Sequence, residues 1–177
     1  MKKVLLYSLL PMLFIGATSC KEKRQSDIII ARKPVVIKKS RPQVIGDAVR
    51  NTRINWVGGT YTVRVTVRCD TSLPLASDGD TKYYDNRVNI HISRSDGSSF
   101  FDRTFTKSDF SGYVDKAYFE DGALLGIVFN KVEGESLKFA ASIGNPDRSS
   151  DEFVPLEIVV SHLGGLSIQK SSDMDNE

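Results

Sequence analysis

Thr60-Tyr61-Thr62-Val63-Arg64-Val65-Thr66-Val67-Arg68-Cys69 alternates without a break. Tyr61, Val63, Val65, Val67 and Cys69 fall on one face; Thr60, Thr62, Arg64, Thr66 and Arg68 fall on the other. Successive side chains of a strand point to opposite faces, so this period of two dictates a half-buried β-strand. One wet and one apolar face is the signature of an antiparallel sheet covering a core on one side. Cys69 lies on the apolar face with no base beside it, which makes it a packing thiol rather than a nucleophile.

Downstream, a polar stretch from Asp70 to Asn86 separates this strand from a second alternating run, Val88, Ile90 and Ile92. Ser95-Asp96-Gly97-Ser98 then leads into Phe101, Arg103 and Phe105, a pair of runs closed by Asp-Gly as in a β-hairpin. Thr106-Lys107-Ser108-Asp109 has the form of a capping box, and Phe110, Tyr113, Val114 and Ala117 recur at helical spacing. One helix is therefore expected at about 107–119, stopped by Asp121-Gly122. Strands follow over 124–132, 137–143, 154–162 and 166–169, with turns at Glu133-Gly134-Glu135, Asn145-Pro146-Asp147 and Gly164-Gly165. The fold class is mainly β: about seven strands with turn signals between them predict an antiparallel sandwich or partly closed barrel, the helix covering one end or face.

Upstream, the pattern is of another kind. Met1-Lys2-Lys3, an apolar run from Val4 to Ile15, and Gly16-Ala17-Thr18-Ser19-Cys20 follow in the order of a secretion signal. About a dozen apolar residues make a helix of roughly 18 Å, too short for a hydrocarbon core of about 30 Å, so this is not a membrane span. Ala17-Thr18-Ser19-Cys20 resembles a lipobox with Ala17 where Leu is usual, and Cys20 is the expected site of lipidation. The chain divides into a signal peptide at 1–19, a lipidated cysteine with a basic tether at 20–53, and a single β-rich domain at 54–177.

Without Lys2 and Lys3, 22 basic side chains face 22 acidic ones, and a nucleic-acid partner loses its electrostatic basis. Charge is nevertheless segregated: residues 21–53 carry ten Lys and Arg against three acids, while the remainder is acidic by seven. The tether reads as semi-extended with room for one strand near its end, and either lies along anionic headgroups beside its anchor, runs as a solvated linker or packs on the acidic domain. With Cys20 acylated, Cys69 has no disulfide partner.

No catalytic set is legible. Asp78-Gly79-Asp80 and Asp85 invite a calcium loop, but the glycine position would hold Tyr83 and the bidentate glutamate position Asn89. His91 and His162 stand apart, so no metal site or cofactor is expected. Ser167-Ile168-Gln169-Lys170 matches Ser-x-x-Lys, yet on a strand residues three apart point to opposite faces. The candidate ligand contacts are aromatic: Trp56 before Gly58-Gly59, and Tyr83 and Tyr84 in the loop, which either meet a partner or cap the end of the core.

Lys82-Tyr83-Tyr84-Asp85-Asn86-Arg87-Val88, Ile92-Ser93-Arg94-Ser95-Asp96-Gly97-Ser98 and Phe101-Asp102-Arg103-Thr104-Phe105-Thr106-Lys107 resemble a family of uncharacterised envelope lipoproteins of Bacteroidetes. The resemblance continues through Val128-Phe129-Asn130-Lys131-Val132-Glu133-Gly134, Phe139-Ala140-Ala141-Ser142 and Pro155-Leu156, and covers about 60–175. It implies the phylum, lipidation and one compact domain of unknown function, and transfers no catalytic or ligand residue; with Cys20 lipidated, the expected location is the outer membrane. Cys20-Lys21-Glu22 resembles in part a signal for cell-surface display, broken by Lys23, so surface and periplasmic orientations both stand.

Three functions fit the sequence. The first is a non-enzymatic binding or assembly module with a protein or glycan partner. The second is an envelope hydrolase that gathers carboxylates such as Asp102, Asp109, Asp115 or Glu120. The third is a purely structural lipoprotein.

Overall fold

In the computed structural model, residues 41–171 are described. The signal peptide, Cys20 and most of the tether lie outside the described residues. Eleven strands and one short helix follow in order: β1 (Gln43–Val44), β2 (Ala48–Trp56), β3 (Gly59–Cys69), β4 (Ala76–Asp78), β5 (Thr81–Tyr84), β6 (Asn86–Arg94), β7 (Ser99–Phe105), α1 (Lys116–Asp121), β8 (Ala123–Glu133), β9 (Ser136–Gly144), β10 (Phe153–Ser161) and β11 (Leu166–Lys170).

Two open four-stranded antiparallel sheets, ordered β2-β3-β6-β7 and β11-β10-β9-β8, form a sandwich, with β8 lying across β2, β3 and β6. A third sheet, β1-β5-β4, covers one end of both. The alternation read in the sequence sets the registers. Val63 pairs with Ile92, Val65 with Ile90 and Val67 with Val88, so one inward row faces another. The opposite sheet answers with Ile143, Ala141, Phe139 and Leu137 beside Val154, Leu156, Ile158 and Val160. Ile90, Ile92, Phe105, Phe110, Leu124, Leu137, Phe139, Ile143 and Ile158 are fully buried between the sheets.

Sandwich is thus the right half of the predicted pair, since neither large sheet closes on itself. Four strands exceed the seven expected. β1, β4 and β5 are two to four residues long, below the length at which a period of two can be read. They exist through pairing with distant partners, Gln43 with Tyr83 and Ala76 with Tyr83. β2 falls where the sequence allows one strand near the end of the tether, with charged Arg50 breaking its apolar row; it carries the folded unit upstream of residue 54 into the stretch read as tether.

The helix expected at about 107–119 is two pieces. Lys107–Phe110 forms a single 3-10 turn, and α1 begins only at Lys116. Gly112 sits between them, and glycine costs a helix interior about 1 kcal/mol relative to alanine. The cap itself is present: the Asp109 carboxylate accepts the Thr106 N–H at 2.8 Å. Phe110 is buried, whereas α1 buries none of its residues.

The two ends of the sandwich differ. Val57-Gly58, Asp96-Gly97, Gly134-Glu135 and Leu163-Gly164 turn at the end away from the third sheet. Beneath the first of these, Trp56, Tyr61 and Phe100 meet edge to face at centroid distances of 5.3 to 5.8 Å. At the third-sheet end, Ile45, Ala76, Tyr83 and Ala123 form a second small core.

Candidate functional site

Of the concavities at the third-sheet end, two combine apolar walls with cationic side chains. The larger, about 410 Å³, opens at the seam between the sheets. Its floor is Val65 and Val67 from β3 and Leu125 and Ile127 from β8; its rim carries Asp47, Arg50, Asp147 and Arg148.

The rim is built by local chemistry. Asp147 Oδ1 accepts the Ser149 N–H and hydroxyl at 2.8 Å, bonds that hold its pKa below the ordinary carboxylate value. Asn145 Oδ1 accepts the Asp147 N–H at 2.9 Å, and its amide donates to Asp78 at 3.1 Å. Arg148 donates through Nε (2.9 Å) and Nη2 to the Ile45 carbonyl, clamping this loop onto the link between β1 and β2. Gly46 at φ +140° makes room, since a Cβ there would strike that guanidinium. With Arg148 engaged and Asp47 bound to Arg68 at 3.2 Å, Arg50 is the rim cation with no ion-pair partner among the described residues.

β2 borders this cleft. It pairs only with β3 among the described residues, over nine residues with no register shift. The edge strand opposite, β8, is interrupted by shifts at Leu124/Gly126 and Phe129/Lys131. Bulges of that kind blunt an edge, whereas a long regular edge offers unpaired N–H and C=O groups to an added strand.

The smaller concavity, about 240 Å³, is lined by Leu73, Pro74, Asp85, Thr106, Lys107, Ser108, Phe119 and Glu120. At its base are the two most unexpected residues of the fold. Asp85 is 1% exposed and Lys107 8%. Asp85 Oδ1 accepts the N–H groups of Asn86 (2.7 Å) and Leu124 (2.8 Å), and its Oδ2 lies 3.9 Å from Lys107 Nζ. Lys107 donates to the Gly122 carbonyl at 2.6 Å and sits 5.5 Å from the centre of the Phe119 ring. Burial raises the Asp85 pKa against the two N–H bonds and Lys107, and lowers the Lys107 pKa against the pull of Asp85 and Asp121. Asn86 completes the network by donating to the Leu124 carbonyl at 2.9 Å.

The predicted site residues are dispersed. Trp56 is 3% and Tyr83 7% exposed, so both rings close ends of the core and neither is presented at the surface; Tyr84 is half-buried in β5. Trp56 Nε1 has no hydrogen-bond partner among the described residues. Cys69 is half-buried at the end of β3, its N–H bound to Asp47. His91 sits 3.2 Å from Asp102 on the outer face of β6, and His162, the expected last residue of the 154–162 strand, instead lies in the β10–β11 turn 3.2 Å from Glu135. Asp85 is buried against the Asn86 and Leu124 N–H groups while Asp78 binds the Asn145 amide, and no group of three metal-ligating side chains occurs among the described residues. Ser167 and Lys170 do lie on a strand.

The carboxylates named for a hydrolase are held separately. Asp102 accepts from Asn89 (2.7 Å), Asp109 binds Arg103 and the Thr106 N–H, and Glu120 faces Lys116. The sequence reading missed Arg50, Asp85 and Lys107. Arg50 is in phase with Ile54 and Trp56, and Asn86 with Val88 and Ile90, so an inward polar register was legible at both places. Lys107 gave no signal, because its burial depends on Gly122 and Phe119 from a distant segment.

The model of a family described as a domain of unknown function (DUF4738) matches residues 31–168. Among curated proteins no match to the chain was found.

Proposed function

Because the chain belongs to the DUF4738 family of domains of unknown function, we propose from its residues that it is a lipoprotein of the bacterial cell envelope whose β-sandwich is a non-enzymatic binding or assembly module. The anchor is diacylglycerol on Cys20, in the lipobox-like Ala17-Thr18-Ser19-Cys20. Each buried CH₂ contributes about 0.8 kcal/mol, so two or three acyl chains hold the domain stably at the outer membrane, on its periplasmic face or the cell surface.

The observation that carries the binding role is the unblunted edge of β2 beside a cleft with an apolar floor and one uncommitted cation, Arg50. An extended segment of a protein partner laid along β2 gains main-chain hydrogen bonds, and its alternate side chains reach Val65, Val67 and Ile127. The hydrogen-bonded loop at 145–150 keeps that wall formed before the partner arrives, which lowers the ordering cost of binding.

Two experiments test the parts separately. The Cys20→Ser variant should leave the membrane fraction; equal partition with the parent would refute the anchor. Purification from detergent-solubilised membranes should recover one consistent partner with the parent chain and lose it with Arg50→Glu, while recovery unchanged by Arg50→Glu would remove the cleft from the account.

A further inference from the structure

We propose that the pocket over Asp85 and Lys107 is a binding site for one neutral polyhydroxylated ring, such as the terminal sugar of a glycan. This does not depend on the reading of the cleft at β2.

The case begins with hydrogen-bonding capacity. Asp85 Oδ1 is fully used by two backbone N–H groups, but Oδ2 has only Lys107 Nζ, at 3.9 Å, beyond a direct hydrogen bond. Lys107 Nζ carries three protons and spends one on Gly122. An acceptor and a donor therefore stand side by side, and one oxygen placed between them can donate to the carboxylate and accept from the ammonium. A hydroxyl does both with a single atom. Thr106 and Ser108 add hydroxyls that bond each other at 2.6 Å and keep spare capacity on the same side of the pocket, while Leu73, Pro74 and the Phe119 ring make the remaining walls apolar.

Charge decides among ligand classes. Glu120 is already paired with Lys116 at 3.6 Å, so the charges left to the pocket are Asp85 and Lys107; a phosphate or carboxylate would meet Asp85, and a cation would meet Lys107. A neutral ligand meets a balanced pair. Among neutral groups, a pyranose combines a polar edge of vicinal hydroxyls with an apolar C–H face suited to an aromatic ring. The volume of about 240 Å³ admits one such ring rather than a chain.

The test uses the full chain carrying Cys20→Ser and four probes: methyl β-glucoside, methyl β-galactoside, methyl α-mannoside and N-acetylglucosamine. NMR titration should show at least one of them binding in the millimolar range, with amide shifts concentrated at Leu73, Lys107, Ser108 and Phe119. Phe119→Leu should weaken that probe about tenfold and Phe119→Tyr should restore it. Ser108→Ala, at an exposed position that also gives up a 2.6 Å bond to the Thr106 hydroxyl, should weaken it about threefold with the unfolding midpoint checked alongside. The proposal is overturned if none of the four probes shifts those amides at about 50 mM, if Ser108→Ala binds like the parent, or if inorganic phosphate binds the pocket more tightly than every sugar.

Discussion

The two ends of this sandwich are made by different physics. The hairpin end is local: each turn joins adjacent strands, and its aromatic trio of Trp56, Tyr61 and Phe100 comes from strands that share one sheet. The third-sheet end is assembled from distant segments. Residue 43 pairs with 83, Asn145 reaches Asp78, Arg148 reaches Ile45, and Asp85 binds the Leu124 N–H. Both the seam cleft and the Asp85–Lys107 pocket are at that end, where nonlocal contacts create concavity and bury charge. Stability at the hairpin end follows from turn chemistry, whereas at the other end it is hostage to a few buried polar groups.

The sharpest way to break this contrast is Lys107→Met. It leaves the Asp85 carboxylate buried without its counter-charge, and removal of one partner of a buried pair costs about 3–5 kcal/mol, read as a lower denaturant midpoint. Next is Gly144→Ala. A Cβ there would lie 2.2 Å from the Glu152 carbonyl and 2.5 Å from Phe153 Cα, backbone atoms that cannot rotate aside. The expected loss is about 1–3 kcal/mol by thermal or chemical unfolding.

The pH dependence of stability isolates the buried acid. Burial holds the Asp85 carboxyl above the ordinary aspartate value of 3.8, so the folded chain keeps this proton where the unfolded chain has lost it. The stability it contributes is complete below 3.8 and is lost as pH rises through the elevated pKa. Asp70, Asp96, Asp102, Glu133 and Asp147 have lowered pKa values and act with the opposite sign, losing stability as pH falls. Asp85→Asn should therefore decline less steeply than the parent as pH is raised above 3.8, measured as unfolding free energy across the range. An unchanged slope would mean that Asp85 is not the group responsible.

At the hairpin end the expected effects are smaller, and one is a gain. Val57 holds φ +42° in the turn with Gly58, a left-handed conformation that a β-branched residue resists. Val57→Asn gives the Asn-Gly pair favoured by a two-residue hairpin and should stabilise the fold by about 1 kcal/mol. Leu163, 84% exposed in the β10–β11 turn, should tolerate Ser within about 0.5 kcal/mol, with partner recovery unchanged.

The same contrast explains what was legible in the sequence. Tyr61 to Cys69 and Val88 to Ile92 announced their strands because one buried face imposes a strict period, and Asp96-Gly97 announced its turn through glycine. β1, β4 and β5 announced nothing, being too short to carry a period. In the sequence Trp56 and Tyr83 read as either partner contacts or caps on the end of the core, and their burial is that of caps; the residues that bury them, Phe100 and Ile45, are not revealed by sequence proximity. The site suffered most. Asp85 and Lys107 meet only after the 3-10 turn, the end of α1 and the start of β8 converge.

The most direct measurement places a photoreactive amino acid at residue 50 in the cleft or at residue 163 in the far turn, in living cells. The account predicts that position 50 crosslinks to one discrete partner and position 163 does not. Crosslinks to that species from 163 but not from 50 would contradict it, moving the working surface to the hairpin end.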